Sequence, residues 1–213
     1  MARYTGPKEK LERRLGERLG LKGERGASPK SGIVKRPYPP GQHGPTHRPK
    51  KMSEFGLQLK SKQKVRYMYR LMEKPFRAYV KKALDNRKVS PYAGVVTSLE
   101  TRLDNVVFRM GVAQSRDQAR QIVGHGHIAL NGKRAKTPSI VVHAGDVISV
   151  RDRSKALPFF ATLMPRWFVN ATPPSWLELN KETVSAKVLA TPAVEESGIQ
   201  PGDLQAIIEY YSR

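Results

Sequence analysis

The sequence contains no cysteine. That absence excludes disulfides, thiolate metal sites and cysteine nucleophiles. It also lacks any run of about 18 apolar residues, so no helical membrane span is expected. Acidic residues are few, 18 against 39 lysines and arginines, which leaves a net charge of +21. A chain this basic repels itself unless an anionic partner neutralises it. The hydrophobic fraction is 38% of 213 residues. That is modest beside a globular average of roughly 45–50%, but the length suffices for a real core. The opening MARYTGPKEK has no apolar stretch after its charges, and Glu9, Glu12 and Glu17 are unlike an acid-poor transit peptide. A soluble, intracellular protein is therefore the expectation, and no cofactor is expected.

The positive charge has an address. Residues 1–90 carry 25 lysines and arginines against 7 acids, whereas residues 161–213 carry 4 against 6. Solubility depends on total charge, not on where it lies; a polyanion-binding arm needs it concentrated. A membrane surface would require an apolar face or a lipidation signal beside the charge, and residues 1–50 offer neither. Nucleic acid is the expected partner.

Along the chain, Leu11, Leu15 and Leu19 fall at helical spacing within Lys8–Leu19. From Gly20 to Lys51, glycine- and proline-rich turn signals dominate, as in RPYPPGQHGPTHRPKK, so this stretch is expected to be irregular or to fold over another molecule. Ser53 caps a helical stretch running to about Asn86 and interrupted near Pro75. Its apolar stripe is Val65, Met68, Met72, Phe76, Tyr79, Val80 and Leu84, and Lys62, Arg66 and Arg70 form a basic stripe on another face, with Lys60 and Lys64 beside it. That basic stripe is expected to meet RNA phosphates. Helical spacing then runs from Ser90-Pro91 to Gly111, and Ser115-Arg116-Asp117-Gln118 reads as a capping box opening a short helix to Val123, ended by Gly124. His127–Leu130 and Lys133–Lys136 flank Asn131-Gly132, a strong hairpin signal, and Ile140–Val142 and Val147–Val150 flank a second turn. In the tail, Ile207–Tyr211 fits either a strand or a helix end.

Ser115, Arg116 and Arg120 lie near a helix N-terminus, where unpaired N–H groups favour phosphate. With His125, His127, Lys133, Arg134 and Lys136 next door, they are expected to form a basic corner suited to RNA shape rather than base edges. Alanine at Arg116 and Arg120 is accordingly expected to weaken RNA binding and leave thermal unfolding nearly unchanged. His43 and His47 are four apart, but Gly44 and Pro45 between them preclude a regular helix, and no metal site is expected. Arg102-Leu103-Asp104 resembles the catalytic aspartate motif of pseudouridine synthases, which sustains an RNA-modifying enzyme as the alternative. Pairing of Asp104 with Arg102 or Arg109 is the simpler reading, since no nucleophile with a base and no phosphate-binding loop accompanies it.

SRDQARQIVGHGHIALNGKRA (115–135) closely resembles the S-four RNA-binding module. ARYTGPKEKLERR (2–14), PPGQHG (39–44), FGLQLKSKQKVRYMY (55–69), TRLDNVVFRMG (101–111) and EYYSR (209–213) resemble, in the same order, the bacterial small-subunit ribosomal protein S-four family. The resemblance implies an α+β fold: a basic extension over 1–52, a helical domain over 53–98 completed by 164–213, and an inserted module over 99–163 with two helices on a small antiparallel sheet. It implies a non-enzymatic, primary 16S rRNA-binding assembly protein of the 5′ domain. Contact with ribosomal protein S-five, tied to decoding accuracy, with other small-subunit proteins and with mRNA at its entrance is also implied. Carried over by position, His47, Arg48, Lys50 and Lys51 would supply the basic mRNA entrance, and Arg102, Arg116, Arg120, Gln121, His125 and Lys133 would face rRNA. Arg3, Lys8, Lys10, Arg13, Arg14, Gln42, His43 and Gln118, from the matched segments, complete the candidate RNA contacts. Many family members hold zinc or an iron–sulfur cluster through four N-terminal cysteines; this chain has none of them.

Overall fold

The computed structural model describes residues 4–46, 48 and 51–212. The chain divides into two compact units, one of residues 1–95 with 198–213 and the other of 96–197. Among the described residues, no helix is long and apolar enough to cross a membrane.

In the first unit, α1 (Lys8–Leu15) buries Leu11 and Leu15, which cluster with Leu19 and Leu21 and pack against Tyr4 and Tyr67. Gly16 ends α1 in the left-handed region at φ 73°, where a side chain would be strained. The buried Glu12 carboxylate then accepts from the backbone N–H of Leu19 (3.0 Å) and Leu21 (3.4 Å), folding the next segment back. Two single-turn helices follow, α2 (Glu24–Ala27) and α3 (Gly32–Lys35), the latter against α1. The stretch expected to be irregular is thus largely turns, but it is anchored. Arg13 donates to the carbonyls of Arg36 (3.0 Å), Tyr38 (3.1 Å) and Pro39 (3.3 Å), and its guanidinium lies over the Tyr38 ring.

Ser53 caps α4 (Glu54–Met68), its hydroxyl accepting from Gly56 N–H at 3.2 Å. The expected interruption falls before Pro75, at residues 69–72. Arg70 there adopts φ 56°, unusual for a residue with a Cβ, and Nη2 donates to Tyr4 O at 3.0 Å. Pro75 sits in the first turn of α5 (Glu73–Asp85), where a missing N–H costs nothing.

The second unit is entered through α6 (Pro91–Glu100), which is followed by α7 (Leu103–Arg109) and α8 (Arg116–His125). The apolar spacing suggested one helix across α6 and α7, but Val142 N–H donates to Thr101 O (2.9 Å) and Leu103 N–H to Ile140 O (2.8 Å). Pairing with that distant strand-like segment breaks the helix. Ser115 caps α8 through Gln118 N–H, and the Gln118 amide oxygen accepts from Gln114 N–H at 2.8 Å. The helix runs past Gly124 and stops at Gly126, φ 75°, where a Cβ would meet the Arg134 guanidinium.

β1 (Ile128–Leu130) and β2 (Lys133–Ala135) form the expected hairpin, with Asn131 and Gly132 both at positive φ. β3 (Val147–Val150) adds to β1. Next come α9 (Asp152–Lys155), a π-helical turn (Phe159–Leu163) and α10 (Pro165–Phe168). β4 (Leu177–Asn180) and β5 (Ser185–Val188), unforeseen from the sequence, extend the antiparallel sheet to the order β2-β1-β3-β5-β4. Residues 164–197, expected to complete the helical domain, therefore lie in the unit that contains the sheet. Leu103 and Val106 of α7, Met110 at its C-cap, Ala119 and Val123 of α8, and Ile128 and Ile148 of the sheet are fully buried in one core, joined by Phe160, Phe168 and Trp176.

The chain ends in α11 (Pro201–Ser212), a helix rather than a strand, which returns to the first unit and packs along α4 and α5. Tyr211 there donates to Glu73 at 2.6 Å, beside Lys62 (2.9 Å) and Arg66 (3.2 Å). Burial pulls the Glu73 carboxyl upward, but the hydrogen bonds from Tyr211 and Lys62 and the nearby charges prevail and hold it below the usual carboxylate range. A depressed pKa contributes stability above the unfolded value near 4.5, and that stability is lost as pH falls through the folded value. Glu73→Gln should therefore destabilise by about 1 kcal/mol at neutral pH, allowing for solvent screening, and have much less effect at pH 3. Urea unfolding at the two pH values measures the difference.

Candidate nucleic-acid interface

Two kinds of basic side chain occur in each unit: those engaged within the fold and those presented to solvent. Lys62 is buried, with its ammonium on Glu73 and over the Tyr210 ring. Arg66 shares Glu73, and Arg70 is buried against Tyr4. Lys64 bridges Glu17 and Asp203, both at 2.8 Å, while Lys60 reaches Glu17 at 3.5 Å. Burial depresses the Lys64 pKa, but the hydrogen bonds it donates to those two carboxylates more than compensate and raise it. The stripe expected to face RNA, Lys62, Arg66 and Arg70, instead turns inward. Helical spacing established their common face, but Glu73 and the aromatic rings of α11 decide where that face points.

A different basic ridge is exposed. Lys74, Arg77 and Lys81 recur at i, i+3 and i+7 on α5, followed by Lys82, Arg87 and Lys88, all open to solvent. Lys74, Arg77 and Lys81 form no ion pair among the described residues. Arg77 and Lys81 also line a groove of about 560 Å³ with Phe55 and Tyr210. This ridge was missed although its spacing was readable. On the arm, Lys10, Arg14, Gln42, His43, Arg48 and Lys51 are exposed, Lys8 is half-buried, and Arg13 is the carbonyl clamp described above. Arg3, His47 and Lys50 lie outside the described residues.

In the second unit, Arg102 binds Asp104 bidentately at 3.0 and 2.7 Å, and Arg120 adds a bond at 3.2 Å. All three are buried. Beside them, Glu100 accepts from Asn105 and takes a fork from Arg109 at 2.8 and 2.7 Å. Arg116 donates to Asn105 at 2.7 Å and lies over the Phe108 ring. Arg102 and Arg120, expected on the RNA face, are thus internal, and Arg116 is largely committed to α7. Asp104 serves as the shared counter-ion of two arginines, a structural role.

The phosphate seat expected at the start of α8 is accordingly closed: Ser115 is buried as the cap and Gln118 is its partner. The exposed cations gather at the other end. Arg134 donates to Gly126 O (3.2 Å) and His125 O (3.0 Å), and Arg151 to Gly126 O (3.3 Å), covering carbonyls that α8 leaves unpaired. Lys133 and Lys136 stand exposed on the hairpin, with Gln121 and His125 exposed on α8. His127 is half-buried, its Nδ1 3.1 Å from Ser154 Oγ. Burial, together with the charges of His125, Arg134 and Arg151, lowers its pKa below the ordinary 6.5. The exposed cations of this corner lie at the C-terminal end of α8, not at the N-terminal end that the sequence suggested.

The family model for the "Ribosomal protein S4/S9 N-terminal domain" matches residues 3–100, and that for the "S4 domain" matches residues 101–148. Their boundary falls at the break between α6 and α7. The chain is 46% identical over 213 residues to the small ribosomal subunit protein uS4 of Heliobacterium modesticaldum, covering the whole of both. The uS4 proteins of Kosmotoga olearia and Acetivibrio thermocellus are 45% and 46% identical, again over full length.

Arg116→Ala combined with Arg120→Ala, expected from sequence to spare stability, should instead destabilise markedly. Removing Asp104 should do the same. Leaving a buried charge without its partner costs about 3–5 kcal/mol, so Asp104→Ala should lower the urea midpoint far more than alanine at the exposed Lys133. Equal midpoints would mean that the Asp104 pairs contribute nothing.

Proposed function

From the premise that the chain belongs to the uS4 family of small ribosomal subunit proteins, we propose that it binds folded 16S rRNA through the cations its fold leaves exposed. It is a structural, non-enzymatic component of the small ribosomal subunit. The observation that carries the rRNA reading is the division of basic residues. Lys62, Arg66, Arg102 and Arg120 are neutralised within the protein, whereas the α5 ridge and the corner of Lys133, Arg134 and Lys136 are presented to solvent. Phosphate contacts position a protein on folded RNA and require cations that are exposed in this way. The family also suggests a primary assembly role in the 5′ domain, which an exposed basic surface in each unit supports.

The family also suggests a contact with ribosomal protein S-five that bears on decoding accuracy, along with neighbouring small-subunit proteins. The exposed Arg48 and Lys51 support a contact with mRNA at its entrance. The site of action on this reading is the cytoplasmic ribosome.

The test is salt dependence. Contact with roughly 6–10 phosphates lowers affinity by about 10³–10⁵ between 50 and 200 mM salt, on the duplex-DNA scale. Alanine at Lys74, Arg77 and Lys81 together should reduce the slope of log affinity against log salt by about 2–3 and leave the unfolding temperature nearly unchanged. Lys62→Ala should lower the unfolding temperature and leave the slope alone. A flat salt profile in the wild type, or the reverse pattern in the variants, contradicts the proposal.

A further inference from the structure

The cleft beside the C-terminal half of α8 has a lining unlike the cationic surface around it. It encloses about 260 Å³, with Gln121, His125 and His127 contributing polar edges and Leu157, Phe159 and Phe160 contributing apolar faces. No lysine or arginine lines it. A phosphate site would show ammonium, guanidinium or converging N–H groups. Here a flat apolar wall meets an edge of amide and imidazole groups, and that combination matches a nucleobase, which has a π-face to stack and a rim to hydrogen-bond.

The lining is both fixed and available. Phe159 packs edge-on against Phe160 at 4.9 Å and lies 6.0 Å from Trp167, within the π-helical turn that aims it. His127 is held by Ser154 on one side and stands edge-on to Phe160 at 5.5 Å. Gln121 and His125 are exposed, and neither side chain has a hydrogen-bond partner among the described residues. Leu157 is 41% exposed, so part of the apolar wall faces water. Arg134, bonded to His125 O, places a cation at the rim where the backbone of an extruded nucleotide would pass. A neutral His127, favoured by its burial and its cationic neighbours, offers one ring nitrogen as donor and the other as acceptor.

We infer that this cleft takes one unstacked nucleobase of the bound RNA, read at its edge by Gln121 and His125 and stacked on the Leu157–Phe160 wall, while Arg134 holds the adjoining phosphate. The inference rests on the rRNA-binding reading and deepens it: phosphate contacts dock the protein, and this cleft fixes its register. It also departs from the expectation that the corner reads RNA shape alone. The Leu157–Phe160 wall lies outside the residues matched by the S4-domain model, so the cleft is assembled from the module and the segment that follows it.

The experiment uses the full-length protein and a 16S rRNA transcript over a range of salt concentrations. The double variant Gln121→Ala with His125→Ala changes two exposed side chains. It should weaken binding by roughly 5- to 10-fold at every salt concentration, the lower range for one base contact, with an unchanged salt slope. Ultraviolet irradiation of the wild-type complex should join a nucleotide to the peptide containing Phe159. Wild-type affinity in the double variant overturns the inference, as does a slope reduced by about one, which would mark a lost phosphate contact instead. Normal rRNA affinity with impaired incorporation into subunits overturns it in favour of a protein segment in the cleft. A wild-type protein indifferent to salt would bring down the rRNA reading itself, a distinguishable failure.

Discussion

Carboxylates are scarce in this protein, and the fold depends on where they lie. With 18 acids against 39 lysines and arginines, each well-placed acid has several cations within reach. Glu73 gathers Lys62, Arg66 and the Tyr211 hydroxyl, and Asp104 gathers Arg102 and Arg120. Glu100 gathers Arg109, Asn105 and, at longer range, Arg116. Glu12 does comparable work without a cation, closing the turn after α1 through two backbone N–H groups. Burying a charge is costly unless it is paired and hydrogen-bonded, so these acids determine which basic residues can enter the interior.

The sorting has a functional consequence. Cations that find an internal acid become scaffold; those that do not are left on α5, on the arm and around the β1–β2 hairpin, where they repel one another. Contact with phosphate relieves that repulsion and releases counterions, which is how a basic surface gains affinity for folded RNA. Stability and binding are therefore divided between different residues of the same type. The family assignment and this division agree: a structural subunit protein needs a fold that holds its shape and a surface that is completed by RNA.

Much of this was legible in the sequence. Asn131-Gly132 announced its hairpin because both positions need positive φ, and Ser115 announced its helix because a hydroxyl there meets an orphan N–H. The family was readable for the same local reasons. What was not legible depended on distant partners. Lys62 and Arg66 looked like an outer face because Tyr210 and Tyr211, which turn that face inward, lie at the far end of the chain. The α6–α7 break was hidden in continuous helical spacing, since its cause is pairing with residues 140–142. Arg120 shared a helix face with Arg116, and nothing local revealed that Asp104 would claim it. The α5 ridge, by contrast, is local: Lys74, Arg77 and Lys81 are spaced for a single helix face.

Lysine acetylation followed by mass spectrometry separates the lysines engaged within the fold from those left for RNA. In the free protein, Lys74, Lys81, Lys133 and Lys136 should react readily, and in intact small subunits they should be protected. Lys62 should be sluggish in both states. Ready modification of Lys62 in the free protein with protection only in the subunit, or equal reactivity of the exposed set in both, would mean that the lysines are not divided in this way.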